Sequence, residues 1–483
     1  MRKAGILLSI TSLPSDYGIG CFSKEAYEFI DFLKSAGQTY WQVLPLGPTG
    51  FGDSPYQSFS TFAGNPYFIS LEDLIDEGVL SKSECDAADL GDDLHKTDYK
   101  KQYENRFRLL RSAFENSDLD RDFEFKKFKG DNKFWLSDYA EFMARKTSDS
   151  GRMWTEWTND NTPPEREIQF WEYLQYKFYS QWEKLKVYAN RNGIKIIGDI
   201  PIYVAYDSAD VWKSPHLFSL DEKLRPVAVA GCPPDGFSMT GQLWGNPLYD
   251  WNEQKKDGYK WWIERLKHCF NMYDVLRIDH FRGFAEYYSI AYGSETAENG
   301  KWEKGPGAEL FKEAEKVLGK HKIIAEDLGF ITDSVRNMLD ECGFMGMKVF
   351  EFAFDSRDEN DSNVYLPHNY PQNCVAYTAT HDNAPVTEWF LEITERERTS
   401  VRRYLCDKHT PDNDIVFPII SRLMQSNAEI VIVPVQDYLK KGNDARMNTP
   451  STIGDNWTWR LTQGELSQKL CDDILSVTKP YGR

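Results

Sequence analysis

Val275-Leu276-Arg277-Ile278-Asp279-His280-Phe281-Arg282-Gly283 reads as a short buried strand that ends in a knot of charge. A carboxylate between two arginines and beside a histidine is expensive at the close of an apolar run, because a buried charge costs several kcal/mol unless it is paired. Such clusters are kept for chemistry more often than for stability. Two later strand-like segments end in the same manner, Ile323-Ile324-Ala325-Glu326-Asp327 and Ala376-Tyr377-Thr378-Ala379-Thr380-His381-Asp382. Three acids at the ends of three separated strands point to one shared site, and so to a fold that gathers strand ends.

Working outward, eight apolar runs read as strands: Gly5–Ile10, Tyr40–Leu46, Ile194–Val204, Asp274–Asp279, Lys322–Asp327, Met345–Phe354, Asn373–Thr380 and Glu429–Val435. Most are continuously apolar rather than alternating, as expected of parallel strands covered on both faces. Helical stripes lie between several of them. Ala26, Phe29, Ile30 and Leu33 share one helix face, with Ser23 as N-cap and Gly37 as stop; Val335, Met338, Leu339 and Cys342 repeat the pattern after Thr332, with Gly343 as stop. Strand, helix and strand in alternation predict a (β/α)8 TIM barrel in which residues 1–483 form a single catalytic domain. Two intervals are too long for simple loops. Residues 47–190 predict a mainly helical insertion after strand 2, with helical runs at Tyr99–Phe114, Trp135–Lys146 and Trp171–Asn190. Residues 205–262, rich in Pro, Gly and Trp, predict a lid-bearing insertion after strand 3.

The 483 residues suffice for a full core, and a formal charge of −18 argues against nucleic acid and anionic membrane as partners. A neutral substrate fits that field. Aromatic residues make up 14%, with 15 Trp and 26 Tyr; most belong to an ordinary core, although flat amphipathic rings also suit sugar faces. Eight cysteines are scattered without a Cys-x-x-Cys pair, which indicates neither a zinc site nor a disulfide framework. No run of about 18 apolar residues occurs and no signal peptide is evident, so the expectation is a cytoplasmic protein.

In a barrel of this kind the active site lies at the C-terminal strand ends. Asp199, Asp279, Glu326, Asp382 and Asp437 all fall at or just after such ends, with His280 and His381 beside them. Convergent carboxylates without metal-ligand spacing suit glycosidic bond chemistry. One attacks the anomeric carbon while a second, kept protonated, donates to the leaving oxygen, and a pair about 5–5.5 Å apart gives retention of configuration. Arg277, two positions before Asp279, leaves the strand on the same face, which predicts an ion pair that lowers the Asp279 pKa. Glu326 needs the reverse, a pKa raised by burial and neighbouring acids. The rival use of clustered acids is a calcium or magnesium site, but no Asp-rich loop at EF-hand spacing is present. The second insertion contains Gly231-Cys232-Pro233-Pro234-Asp235-Gly236-Phe237-Ser238-Met239-Thr240-Gly241-Gln242-Leu243-Trp244-Gly245-Asn246-Pro247, read as a lid that carries Trp244 over the site and excludes water.

These segments, together with Leu8-Ser9-Ile10-Thr11-Ser12-Leu13-Pro14-Ser15, Gly52-Asp53-Ser54-Pro55-Tyr56-Gln57, Gly198-Asp199-Ile200-Pro201-Ile202-Tyr203-Val204 and Ala445-Arg446-Met447-Asn448-Thr449-Pro450, carry a resemblance. The chain resembles glycoside hydrolase family 77, the amylomaltases or 4-α-glucanotransferases (disproportionating enzymes), over nearly its whole length. The resemblance implies a retaining glucan transferase with Asp279 as nucleophile, Glu326 as acid/base and Asp382 as transition-state stabiliser. By the same match, Ser54, Tyr56, Asp199, Trp244, Arg277, His280, Asp327, His381 and Asn448 would bind the glucan. It implies an α-amylase-type barrel without a C-terminal β-sandwich, no metal and no cofactor. The substrates would be maltooligosaccharides, amylose or other α-1,4-glucans, with glucose as acceptor, handled by a monomer or weak homodimer. Two departures concern loop shape: Ala379, Ala384 and Pro385 around the third acid, and Ser451 where the family commonly has glycine. Two rival functions stand beside the transferase: a hydrolase of the same mechanistic type, and a glucan-binding protein without catalysis.

Overall fold

The computed structural model describes residues 2–50, 52–158, 162–234, 238–329, 331–355 and 363–483. Eight parallel strands close into a barrel in simple sequential order: β1 (Lys3–Leu7), β2 (Tyr40–Gln42), β3 (Lys195–Pro201), β4 (Val275–Asp279), β5 (Ile323–Ala325), β6 (Met345–Val349), β7 (Cys374–Tyr377) and β8 (Ile430–Pro434). Lys3 pairs with Ile430 and Gly5 with Tyr40, which shuts the ring between β8, β1 and β2. Gly5 is required there, since a Cβ at that position would stand 2.5 Å from the Tyr40 backbone oxygen.

Strand alternation sorts the side chains. Leu7, Tyr40, Ile197, Val275, Ile324, Met347, Val375 and Ile432, one from each strand, belong to one buried cluster that fills the barrel. Their neighbours, such as Ile6, Ile196, Leu276 and Ile323, join the larger core beneath the helices. The expected stripes are present. Ala26, Phe29, Ile30 and Leu33 are the buried residues of helix α1 (Lys24–Ser35), and Val335 and Met338 those of the helix Asp333–Cys342, which Gly343 ends in the left-handed conformation. Several strands are shorter than expected. β2 stops at Gln42 just before Pro45, which has no N–H to donate, and β6 stops at Val349 where a tight 3-10 turn, Phe350–Phe354, begins.

Between β2 and β3 the chain is mainly helical, with long helices at Lys133–Ser148 and Glu165–Arg191. After β3 comes something the sequence did not announce: a four-stranded antiparallel sheet in the order Gln242–Pro247, Ala228–Cys232, Glu286–Ala291, Lys301–Lys304. It combines two strands from the interval after β3 with a hairpin that follows β4. The lid segment supplies the strand Gln242–Pro247 and the last two residues of Ala228–Cys232, while its Asp235, Gly236 and Phe237 lie outside the described residues. A second joint forms beyond β8. Thr97 N–H donates to Thr458 O (2.8 Å), Arg460 N–H to His95 O (2.7 Å) and Leu461 N–H to Ser12 O (2.8 Å), sewing residues 458–461 to the helical interval and to the loop after β1. Among the described residues no helix is long and apolar enough to cross a membrane.

Candidate active site

The same alternation that fills the barrel builds the site. Ile197 and Val275 point inward, so Asp199, Arg277 and Asp279, two or four positions on, continue that face upward; Ile324 does the same for Glu326. Above them opens a cavity of about 1340 Å³. Asp279, Glu326 and Asp382 all line it, as do Ser54, Tyr56, Trp244, Arg277, His280, His381 and Asn448.

Arg277 ties the floor together. It is 3% exposed, and its Nη1 donates to both Asp199 oxygens (2.7 and 2.6 Å) while Nη2 donates to Asp279 Oδ1 (2.9 Å). Burial works against its charge, but the two carboxylates overcome that cost and hold the guanidinium firmly protonated. Asp279 departs from expectation. Burial raises its pKa above the ordinary aspartate value, and Arg277 opposes that rise without reversing it. Desolvation outweighs the ion pair because Arg277 is shared with Asp199, which itself repels Asp279.

Glu326 is held at both oxygens: His280 N–H donates to Oε2 and Leu328 N–H to Oε1, each at 2.8 Å. Burial, and then the charge of Asp279, push its carboxyl up to about 7. The His280 contact needs an unusual backbone. His280 sits in the left-handed region at φ 52°, which turns its N–H back towards Glu326 at a cost of order 1 kcal/mol. Its imidazole meets Trp244 edge-on, with ring centres 4.7 Å apart, and burial together with the Arg282 charge lowers its pKa to about 3. It is therefore a neutral ring, and its Nε2 has no hydrogen-bond partner among the described residues.

Asp382 is braced from the far end of the chain. Asn448 Nδ2 donates to its Oδ1 (2.7 Å), His381 Nε2 lies 3.3 Å from its Oδ2, and Arg446 Nη2 donates to its backbone oxygen (2.8 Å). Tyr56 stacks on His381 with ring centres 5.1 Å apart and donates its hydroxyl to Asp199 Oδ2 (2.9 Å).

Three predicted acids do not reach the cavity wall. Asp199 is fully buried beneath Arg277 and Tyr56. Asp327 follows an inward residue and therefore points the other way, where it accepts from Met347 N–H (2.6 Å) and faces Lys348 at 4.0 Å. Asp437 is buried and committed to Thr378 Oγ1 (2.5 Å) and Val386 N–H (2.8 Å). Direct sugar contact from Asp199 and Asp327 therefore has no support in this geometry. Conversely, sequence reasoning assigned no role to Arg446 and overlooked Trp457, which packs against both Tyr56 and His381 with ring centres 5.9 Å away. Arg446 lies in a motif already singled out; Trp457 left no signal beyond being one of 15 tryptophans. Among the described residues no group of three or more His, Cys, Asp or Glu is placed to hold a metal.

Comparison with known proteins agrees with this geometry. The family model for 4-alpha-glucanotransferases, glycoside hydrolase family 77, matches residues 8–466. A 4-alpha-glucanotransferase of Clostridium butyricum is 46% identical over 489 residues, covering 99% of this chain and 100% of that protein. The Thermus thermophilus 4-alpha-glucanotransferase is 43% identical and covers 96% of each. The solved structure of an amylomaltase from Streptococcus agalactiae in complex with acarbose superposes with a TM-score of 0.95 at 40% identity, covering 100% of both chains. The barrel, the full-length matches and the family model together establish that the chain belongs to glycoside hydrolase family 77, the 4-alpha-glucanotransferases.

Proposed function

We propose that this family member carries out 4-α-glucan transfer with Asp279 as nucleophile, Glu326 as acid/base and Asp382 as stabiliser of the sugar at the reacting centre. The single observation that carries the reading is the difference in partners between two carboxyls on one cavity: Asp279 accepts from the Arg277 guanidinium, whereas Glu326 accepts from backbone N–H groups of His280 and Leu328 and is raised by burial to about 7. Paired titratable groups with divergent environments are the signature of an acid/base assignment. In the first step Asp279 attacks C1 of the donor glucan and Glu326 gives its proton to the departing oxygen. In the second, an acceptor hydroxyl attacks C1, its proton passes to Glu326, and the bond to Asp279 breaks, so configuration is retained. Asp382, oriented by Asn448 and His381, grips hydroxyls of the central sugar as the ring flattens. Neutral His280, whose Nε2 has no partner among the described residues, is suited to the same sugar. Asp199 acts through Arg277 and Tyr56, and Asp327 by fixing the backbone beside Glu326.

The natural substrates in this reading are α-1,4-glucans, with glucose or a glucan end as acceptor, in the cytoplasm and without cofactor. The net charge of −18 favours such neutral partners over nucleic acid or membrane. Residues 47–190 and 205–262 serve as insertions on one catalytic barrel, the second lying over the cavity through Trp244. Maltotriose as sole substrate tests the reading. A transferase yields longer maltooligosaccharides plus glucose, whereas a hydrolase only shortens its substrate. Asp279→Asn should lower turnover by about 10⁴-fold or more, and unchanged turnover would sink the assignment.

A further inference from the structure

Two tryptophans on opposite edges of the small sheet both reach the cavity wall: Trp244 from Gln242–Pro247 and Trp302 from Lys301–Lys304. Trp302 belongs to no motif that the sequence alone marks. It lies directly opposite Tyr288 in the antiparallel register, and the two rings meet at 5.1 Å and 60°. Tyr288 is itself fixed, buried and donating its hydroxyl to Ala297 O at 3.0 Å. The buried Arg282 guanidinium stands over the Trp302 ring at 4.0 Å. The indole is thus backed by a cation on one face and braced by a tyrosine, yet it remains 42% exposed. A large apolar ring held this firmly and still open to a cavity is a contact platform rather than core.

Its position along the reaction follows from Glu326. The acid/base must face the oxygen that joins the transferred segment to whatever leaves or arrives, so groups gathered beside Glu326 and apart from Asp382 meet the leaving sugar and then the acceptor. Arg282 is near enough to Glu326 for their charges to interact, and it lies two residues after His280, whose N–H holds Glu326. Asp382 is fastened instead to Asn448, His381 and Arg446.

We propose that Trp302, backed by Arg282, is the platform on which the first acceptor sugar stacks, and that it sets how well glucose and short maltooligosaccharides compete with water for the glucosyl-enzyme. The inference rests on the transferase reading. In the step it serves, the acceptor hydroxyl forms its bond to C1 and the C1–O bond to Asp279 breaks, its electron pair returning to the carboxylate. The hydroxyl proton passes to Glu326. Trp302 forms no bond; it holds the acceptor against departure during that attack.

The test uses α-maltosyl fluoride as donor, because fluoride departure needs no sugar on the leaving side, with glucose as acceptor. Trp302→Ala should raise the KM for glucose about tenfold, the worth of one stacked ring, and send a larger share of maltosyl groups to water. The KM for maltosyl fluoride should move by no more than about twofold, and Trp302→Phe should recover most of the acceptor binding. An unchanged glucose KM in Trp302→Ala overturns the proposal, as does an equal rise in both KM values. Should the wild-type protein release fluoride yet pass nothing to glucose, the transferase reading fails and the platform falls with it.

Discussion

Glu326→Gln separates the electrostatic cost of the acid/base from its use. Burial and the Asp279 charge raise this carboxyl from 4.5 to about 7, so the folded chain holds the proton more tightly than the unfolded chain. The resulting stabilisation is complete below about pH 4.5, shrinks as pH rises, and is gone above about pH 7. At about 1.36 kcal/mol per pKa unit the shift corresponds to ~3 kcal/mol, an upper figure because Glu326 lines an open cavity. Glutamine is neutral at every pH and escapes this loss. It does suffer a fixed one: both Glu326 oxygens accept N–H groups, from His280 and Leu328, whereas an amide offers a single acceptor. That deficit of about 1–3 kcal/mol displaces the whole curve without changing its slope. Relative to wild type, the variant should therefore gain up to ~3 kcal/mol between about pH 4.5 and pH 8. Unfolding entropy for 483 residues is about 1 kcal/mol per kelvin, so the difference in Tm should climb by about 3 °C across that range. Calorimetric melts at closely spaced pH values measure it directly. A Tm difference that stays flat with pH refutes the claim that burial and Asp279 hold the proton on Glu326.

Arg277→Ala leaves the buried Asp199 and the half-buried Asp279 without their cation and should cost about 3–5 kcal/mol in a denaturant titration; the lysine variant, lacking the fork that spans Asp199 and Asp279, should recover only part. Asn448→Ala removes the hydrogen bond that orients Asp382 and should reduce kcat/KM about 10- to 100-fold on maltotriose, with the fold visible by circular dichroism unchanged. In its proposed role as acid/base Glu326 begins each cycle protonated, so kcat/KM should fall tenfold per pH unit above a break at about pH 7. A profile level to pH 9 would require another acid, although about two units of basic pH should suffice to see the break.

The barrel was legible because each strand is a short apolar run that need only be buried on both faces, and β4 and β5 announce their own ends with charge. The small sheet was not. Ala228–Cys232 and Gln242–Pro247 are brief, interrupted by a bulge between Val229 and Gly231, and set among prolines and glycines that read as loop. Gln242–Pro247 pairs with Ala228–Cys232, but the other neighbour of Ala228–Cys232, Glu286–Ala291, arrives from beyond β4, a pairing that no local pattern encodes. Within the site, adjacency misled in one place. Glu326 and Asp327 look alike in sequence, but alternate strand residues face opposite sides, so one lines the cavity and the other meets Lys348. The expected lowering of the Asp279 pKa also needed more than the Arg277 spacing, since burial of the carboxyl outweighs the ion pair and Asp199 adds its own repulsion. Arg446 and Trp457 serve the site through contacts across large sequence separations, with Asp382 and with Tyr56; the motif around Arg446 marks its neighbourhood but not its partner, and nothing local marks Trp457.

The joint beyond β8 has a consequence for how the protein is made. All eight strands have been synthesised once Pro434 leaves the ribosome, and Asp279 and Glu326 are long since in hand. Asp382 still lacks Asn448 and Arg446 at that moment, Tyr56 lacks Trp457, and the helical interval has no strap through Thr458 and Arg460. A nascent chain halted just after β8 can close its barrel yet should sever or transfer no glucan, so competence arrives late and in one step, after the scaffold is already standing.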